Sequence, residues 1–395
     1  MRIILGTEDY YPNIDGGAVA ERRLAWGQSA LGHKVAIIAP GTKGLVDYKE
    51  QDGPTVIYRP RALTFPLYKE YQFAVRPFPF VDGIVRRFKP DIIHIHNPYP
   101  IGYALVKSAK RHGIPLVGSN HLMPENFFMT IRKLYFLYRP LRRLGWKFLS
   151  RFYNRFDAVI SPSKTAIRLL HEAGVRKPLY PFSNGVDVKR FRPGLDGSYL
   201  RRIYGIHPTN PVILYSGRLG GEKSLEVLIK AFAIVSRKVK ASLVLSGSGP
   251  DAGVLKDLAG KLGISHITHF VGFVPDRDFP SLYGIASMFA IPSTAELQSI
   301  VTLEALASGL PVVAADSNAL PELVHHGKNG FLHKPFDPPG MAVFIERLLR
   351  NRAMRKRMGA ESLRIVARHD YPYVFKIFEE LYRQVIESKK ASARH

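Results

Sequence analysis

The sequence predicts an α/β protein of two doubly wound, Rossmann-like domains, and three observations carry that expectation. Short apolar runs bounded by turn residues alternate with amphipathic stretches of helical period. The alternation stops at SNGVDVKRFRPG, where Pro193 and Gly194 mark a linker, and then starts again. The 395 residues suffice for two or three ordinary domains, and a hydrophobic content of 46% supplies their cores. The domains are expected at 1–184 and 185–372, with a helix near 373–388 available to pack back on the first.

In order along the chain, RIILG reads as a strand. GGAVAERRLAWGQSALGHKVAIIAPG reads as a glycine turn, an amphipathic helix, a Gly-His turn and a second strand. FKPDIIHIHNPYPIGYALVKSAKRHGIPLVGSNH and RFDAVISPSKTAIRLLHEAGV repeat the strand–helix unit. Strands separated by helices imply a parallel sheet covered on both faces. The second series is PVILYSGRL, ASLVLSGSGP, HITHFVGFV, SMFAIPST and LPVVAAD. Open α/β sheets bind ligands beyond the carboxyl ends of their strands, so a cleft between two such domains is the expected active site.

Composition narrows the function. The chain has no cysteine, which excludes disulfides, thiol nucleophiles and cysteine-ligated zinc. The first residues, MRIILGTEDYY, lack the apolar core of a signal peptide. The longest run without a charged residue, Phe279 to Ala295, is 17 residues broken by Pro280, Gly284 and Pro292, poor material for a spanning helix. The formal charge of +25 points to an anionic partner: nucleic acid, an anionic membrane or a phosphorylated small molecule.

Two motifs carry chemistry. In YSGRLGGEKSLEVLIKAF a strand ends at Ser216–Gly217, and Arg218 and Lys223 flank a glycine pair before a helix. Two cations there suit a diphosphate, the guanidinium gripping oxygens as a fork and the ammonium acting as a point charge. The alternative is a pair of solvated bases at a helix start. In STAELQSIVTLEALASGLPVVAAD, Glu296 falls in the loop before a helix and Glu304 about one turn inside it. A loop acid beside free helix N–H groups can bind sugar hydroxyls, and a helical acid can bind a ribose diol.

Four other features are read as structural or weak. Asp276-Arg277-Asp278 is a D-x-D triplet before a helix and is expected to cap it. His94 and His96 share one strand face, but no neighbouring carboxylate pattern supports a metal. Gly247 and Gly249 read as a turn at a strand end. Gly16 and Gly17, ahead of the first helix, allow a close backbone approach to phosphate.

The Glu-x7-Glu element running into EALASGLPVVAAD, together with GRLGGEK, SNGVDVKRFRP and the early Gly16–Gly17 loop, resembles family 4 of the retaining glycosyltransferases, which have the GT-B fold. The match covers nearly the whole chain in the same order. The resemblance implies a nucleotide-sugar donor on the second domain, an acceptor on the first, and no covalent nucleophile. By position it implies that Arg218 and Lys223 neutralise the donor diphosphate, that Glu304 holds the ribose, that Glu296 contacts the transferred sugar, and that His121 in GSNHLMPEN lies near that sugar. The catalytic set is then His121, Glu296, Arg218 and Lys223. The donor set is Gly16, Gly17, Arg218, Lys223, Val274, Glu296, Leu297, Gln298, Ser299, Ile300 and Glu304. Where the family commonly has Phe-Gly after the first glutamate, this chain has Leu297-Gln298-Ser299, a change that bears on sugar selection. GSNHLMPEN and AELQSIVTLEA look most like the branch acting on lipid acceptors, such as diacylglycerol glucosyltransferases.

A basic segment agrees with a lipid acceptor. From Phe127 to Phe156 the chain holds Arg132, Lys133, Arg139, Arg142, Arg143, Lys147, Arg151 and Arg155, no acid, and interleaved aromatics. Such a segment can lie in a membrane interface with its bases on anionic headgroups, though part of its aromatic face can equally be core. Residues 1–185 carry 28 bases against 13 acids, the remainder 29 against 19, so the excess concentrates in the acceptor half. Acceptor or membrane contacts are expected at Asn120, Glu125, Asn126, Arg132, Lys133, Arg139, Arg142, Arg143 and Lys147. The expected enzyme is a hexosyltransferase on the inner face of the cell membrane, moving glucose from UDP-glucose to a lipid without metal or cofactor. A soluble, polyprenyl or phosphatidylinositol acceptor stays open. A nucleic-acid-binding protein on the same scaffold ranks far lower, because it leaves the acids and their partner cations unexplained and no nucleic-acid module is visible.

Overall fold

The computed structural model describes residues 1–12, 16–65, 68–124 and 138–392. The chain forms two compact units. One comprises Met1–Pro124, Arg139–Asn184 and Pro372–His395; the other is built on Gly185–Tyr371.

The first unit is built on an eight-stranded sheet. Its strands are β1 (Arg2–Gly6), β2 (Lys34–Ile38), β3 (Tyr48–Asp52), β4 (Thr55–Arg59), β7 (Ile92–Ile95), β8 (Leu116–Ser119), β9 (Ala158–Ser161) and β10 (Leu179–Pro181), in the order β10-β9-β8-β7-β1-β2-β4-β3. Every pairing is parallel except β3 with β4. β5 (Ala62–Phe65) and β6 (Tyr68–Ala74) form a separate antiparallel pair. The strand order reverses between β1 and β7, the switch point at which such sheets open a crevice beyond their carboxyl ends. β3 to β6 and β10 carry no clear strand signal in the sequence: YKEQD is too polar for one, and β10 has only three residues.

The C-terminal helix Tyr371–Ser392 belongs to this core. Val374, Phe378, Leu381, Tyr382 and Val385 are buried with Ile3, Leu5, Ile37 and Ile92. Gln28 donates to the Phe375 carbonyl at 2.8 Å. The helix Tyr138–Tyr153 buries Trp146, Leu149, Phe152 and Tyr153. Gly118 in β8 leaves room for Phe156 and Tyr153, whose ring carbons would stand 3.0 Å from a Cβ added there. Among the described residues, Trp146, Phe152, Tyr153 and Phe156 of the basic segment are therefore core, and truncating Phe152 would cost about 3–5 kcal/mol.

The second unit has six parallel strands: β11 (Val212–Ser216), β12 (Ser242–Ser246), β13 (Thr268–Gly272), β14 (Met288–Ile291), β15 (Val312–Ala315) and β16 (Gly330–His333), in the order β13-β12-β11-β14-β15-β16. Its switch point lies between β11 and β14. β16 escaped the sequence reading because GFLH is short and opens on glycine. A Cβ on Gly330 would lie 1.9 Å from the Val312 carbonyl oxygen.

The expected linker at Pro193–Gly194 is corrected. Phe191 is buried and meets Phe279 and Tyr283 edge-on, which fixes this stretch inside the second unit; the chain passes between units at Asn184–Gly185 and Tyr371–Pro372.

Candidate functional site

In the second unit the loops after β11 and β12 pack backbone against backbone. Leu219 N–H donates to the Ser248 carbonyl at 2.8 Å. A Cβ on Gly247, whose φ is +118°, would lie 2.0 Å from the Gly217 carbonyl oxygen. Only glycine fits there. The chain then makes a short 3-10 turn, Gly221–Lys223, and enters the helix Leu225–Ser236.

This path sends Lys223 across the switch point. Its Nζ donates to Glu296 Oε1 at 2.7 Å, joining the loop after β11 to the loop after β14. The Glu296 side chain is 9% exposed and that of Lys223 21%, so the pair is largely withdrawn from water. The Arg218 side chain is half exposed, with Nη1 3.9 Å from the Glu222 carboxylate. Glu222 is buried and had no signal in the sequence beyond its place between the two cations.

Beyond Glu296, Ser299 Oγ accepts from Thr302 N–H at 3.2 Å and caps the helix Ile300–Ala307. Capping fixes the helix start, whose unpaired N–H groups and dipole favour an anion. Glu304, one turn in, accepts from Tyr283 Oη at 2.7 Å. Burial pushes its carboxyl up to about 7, against the lowering effects of the Tyr283 hydroxyl and the Arg190 charge. Gln298 and Ile300 are half-buried, and Leu297 is buried. Val274 is 4% exposed and packs against the core of this unit.

The D-x-D triplet is corrected too. Asp278 stands at the N-cap of the helix Phe279–Gly284, but its side chain makes no capping bond there. Arg190 Nη2 holds Asp276 Oδ1 at 2.7 Å, and Tyr199 Oη donates to Asp278 Oδ1 at 2.8 Å. Both carboxylates are committed to long-range contacts that triplet spacing cannot reveal.

In the first unit, Gly16 and Gly17 open the helix Gly16–Ala30 directly, instead of forming a turn ahead of it. His121 follows β8 and stacks on His96, centroids 5.6 Å apart and planes 11° from parallel. Glu21 Oε1 lies 3.5 Å from His96 Nδ1. No carboxylate pattern neighbours the strand histidines in sequence; the fold brings one to His96 from the helix Gly16–Ala30. His94 is occupied, Nδ1 with Tyr382 Oη and Nε2 with Ser119 Oγ, both at 2.7 Å. Burial drives the His94 imidazole down to about 3 and His96 well below its ordinary value, so both are neutral. Glu8, after β1, accepts from Ile101 N–H at 2.7 Å at the start of the helix Pro100–His112. Burial nevertheless raises its carboxyl to about 8.

Asn120 is fully buried, its amide donating to the Ile160 carbonyl and its own carbonyl accepting from Ser161 Oγ. These bonds brace β8 to β9, while among the described residues the side-chain amide nitrogen of Asn120 is buried without a hydrogen-bond partner. Glu125, Asn126, Arg132 and Lys133 lie outside the described residues, as does the side chain of Arg139. Arg142 is half-exposed, Arg143 and Lys147 are exposed, and between them Leu144 and Phe148 are 62% and 44% exposed. Among the described residues no helix is long and apolar enough to cross a membrane.

Comparison with known proteins gives this geometry a family. Residues 199–364 match the model for glycosyl transferases group 1, and residues 14–190 the model for Glycosyltransferase Family 4. An alpha-monoglucosyldiacylglycerol synthase of Streptococcus pneumoniae is 30% identical over 84% of this chain and 75% of its own length. The chain belongs to glycosyltransferase family 4. A GDP-mannose-dependent alpha-mannosyltransferase of Corynebacterium glutamicum is 28% identical over 84% of this chain and 76% of its own. Among solved structures, sucrose-phosphate synthase from Thermosynechococcus elongatus superposes with a TM-score of 0.80 at 21% identity, covering 98% of this chain and 99% of that one. This glycosyltransferase is a hexosyltransferase of GT-B fold, built from two Rossmann-like domains.

Proposed function

We propose that this glycosyltransferase moves glucose from UDP-glucose to a membrane lipid of diacylglycerol type, with retention and without a catalytic metal. The observation that carries the donor half is the meeting of Lys223 and Glu296 across the switch point of the second sheet, with Arg218 beside them. As the bond from sugar to diphosphate breaks, negative charge gathers on the leaving oxygens. Lys223, Arg218 and the capped helix start at Ser299 are placed to oppose that charge, which favours the transition state over the ground state. Glu296 then serves two tasks, fixing the ammonium and accepting from sugar hydroxyls. Glu304 serves the ribose, its orientation set by Tyr283.

Glucose and a lipid acceptor are favoured by the Streptococcus pneumoniae relative, whose name specifies a glucosyldiacylglycerol product. The helix Tyr138–Tyr153 supports the same choice. Its outward side pairs apolar Leu144 and Phe148 with Arg143, Lys147 and Arg151, a pattern suited to an anionic bilayer surface. Tyr153 Oη donates to the Ser119 carbonyl at 2.9 Å, tying this helix to the strand that leads into His121. On this reading the enzyme works on the inner face of the cell membrane, docked through that helix. Reversing Arg142, Arg143 and Lys147 to glutamate should abolish binding to phosphatidylglycerol vesicles while leaving UDP-glucose hydrolysis in solution intact. Vesicle binding unchanged by the reversal contradicts the lipid-surface reading.

A further inference from the structure

Glu21, His96 and His121 come from three separate elements of the first unit: the opening helix, the end of β7 and the end of β8. One donor atom from each lies within 4.8 Å of the other two. His96 Nδ1 is 3.4 Å from His121 Nε2 and 3.5 Å from Glu21 Oε1. Both separations exceed those of a good hydrogen bond between such groups, about 2.7–3.2 Å. They fit a shared ion instead. Zinc holds histidine nitrogen and carboxylate oxygen at about 2.0–2.2 Å in a tetrahedron, which spaces neighbouring donors about 3.3 Å apart. We propose that Glu21, His96 and His121 form a three-donor site for a divalent transition ion of the zinc type, with the fourth position left to solvent.

The choice of ligands is selective. His94 packs 4.3 Å from His96, ring to ring, yet both its nitrogens are held by Tyr382 and Ser119, so it stays outside the set. Glu21 is 3% exposed and His96 2%, which fixes two ligands in a rigid frame; His121 is half-buried and supplies the approach. Two imidazoles and one carboxylate suit zinc or cobalt, whereas magnesium and calcium prefer oxygen donors throughout. An ion seated here takes up His121, and on the functional reading above, which this consequence alone rests on, it inhibits sugar transfer.

The test uses untagged full-length protein stripped with EDTA. Cobalt(II) is added, and its visible absorption reports a four-coordinate site; zinc(II) then displaces it, read by titration calorimetry. The expected result is one tight ion, lost about tenfold or more in affinity in Glu21→Gln and in His121→Gln, and unchanged in the exposed control His266→Gln. If Glu21→Gln melts at room temperature, His121→Gln decides, because its side chain is less enclosed. Equal affinity in His121→Gln and wild type, or a purely six-coordinate cobalt spectrum, overturns the site. Zinc binding as expected with undiminished glucosyl transfer leaves the site standing and overturns its inhibitory consequence.

Discussion

Replacing Lys223 with methionine separates the structural from the chemical role of the ion pair at the switch point. The substitution keeps the length and apolar stem of the side chain and removes its charge. Glu296 is then left 9% exposed without the ammonium 2.7 Å away. Breaking a fully buried pair costs about 3–5 kcal/mol. Lys223 keeps a fifth of its side chain in water, so about 1–3 kcal/mol of stability should be lost. Turnover should suffer more, because one preorganised charge facing a developing anion is worth roughly 3 kcal/mol, about 100-fold in kcat. The double variant Lys223→Met/Glu296→Gln tells the two apart. It no longer buries an unpaired charge, so thermal stability should return most of the way while UDP release from UDP-glucose stays depressed. Recovery of turnover together with stability would show that the pair only holds the two loops together, and the assignment of Lys223 to the diphosphate would fall.

The Glu304 carboxyl, pushed up to about 7, should lose its ionised form as pH falls through neutrality; KM for the donor should then rise below about pH 7 in the wild type but stay level in Glu304→Gln. Glu8 is held neutral to about 8 in the folded chain against an ordinary value of 4.5, so the folded state carries the extra proton between these limits, and stability falls as pH rises across that window. Thermal melts of Glu8→Gln should therefore gain on the wild type toward pH 8; parallel curves would refute the burial argument. Sugar transfer should survive EDTA, since diphosphate charge is met by Arg218 and Lys223; loss on chelation with rescue by manganese would contradict this.

The two-domain plan was legible because the central strands of both sheets are short apolar runs punctuated by glycine or proline, as in PVILYSGRL and LPVVAAD. Arg218, Lys223, Glu296 and Glu304 were legible for the same reason: each sits at a fixed offset from a readable strand end or helix start. What the sequence hid were partners brought in from elsewhere. Glu21 reaches His96 from another helix, Tyr283 orients Glu304 from the helix before β14, and Arg190 takes Asp276 across the second unit. The basic segment misled in part because aromatics occur on both sides of its helix. Trp146, Phe152 and Tyr153 went to the core and Phe148 to the surface, a division that composition alone does not contain.

The most direct test of the proposed activity is transfer itself. Purified protein is incubated with diacylglycerol in phosphatidylglycerol vesicles and, in parallel, radiolabelled UDP-glucose, UDP-galactose and GDP-mannose, and the lipid phase is analysed for product and anomeric configuration. The expected product is a glucolipid with an α linkage, formed from UDP-glucose. Label appearing only from GDP-mannose, or only on a soluble acceptor added in competition, would contradict it.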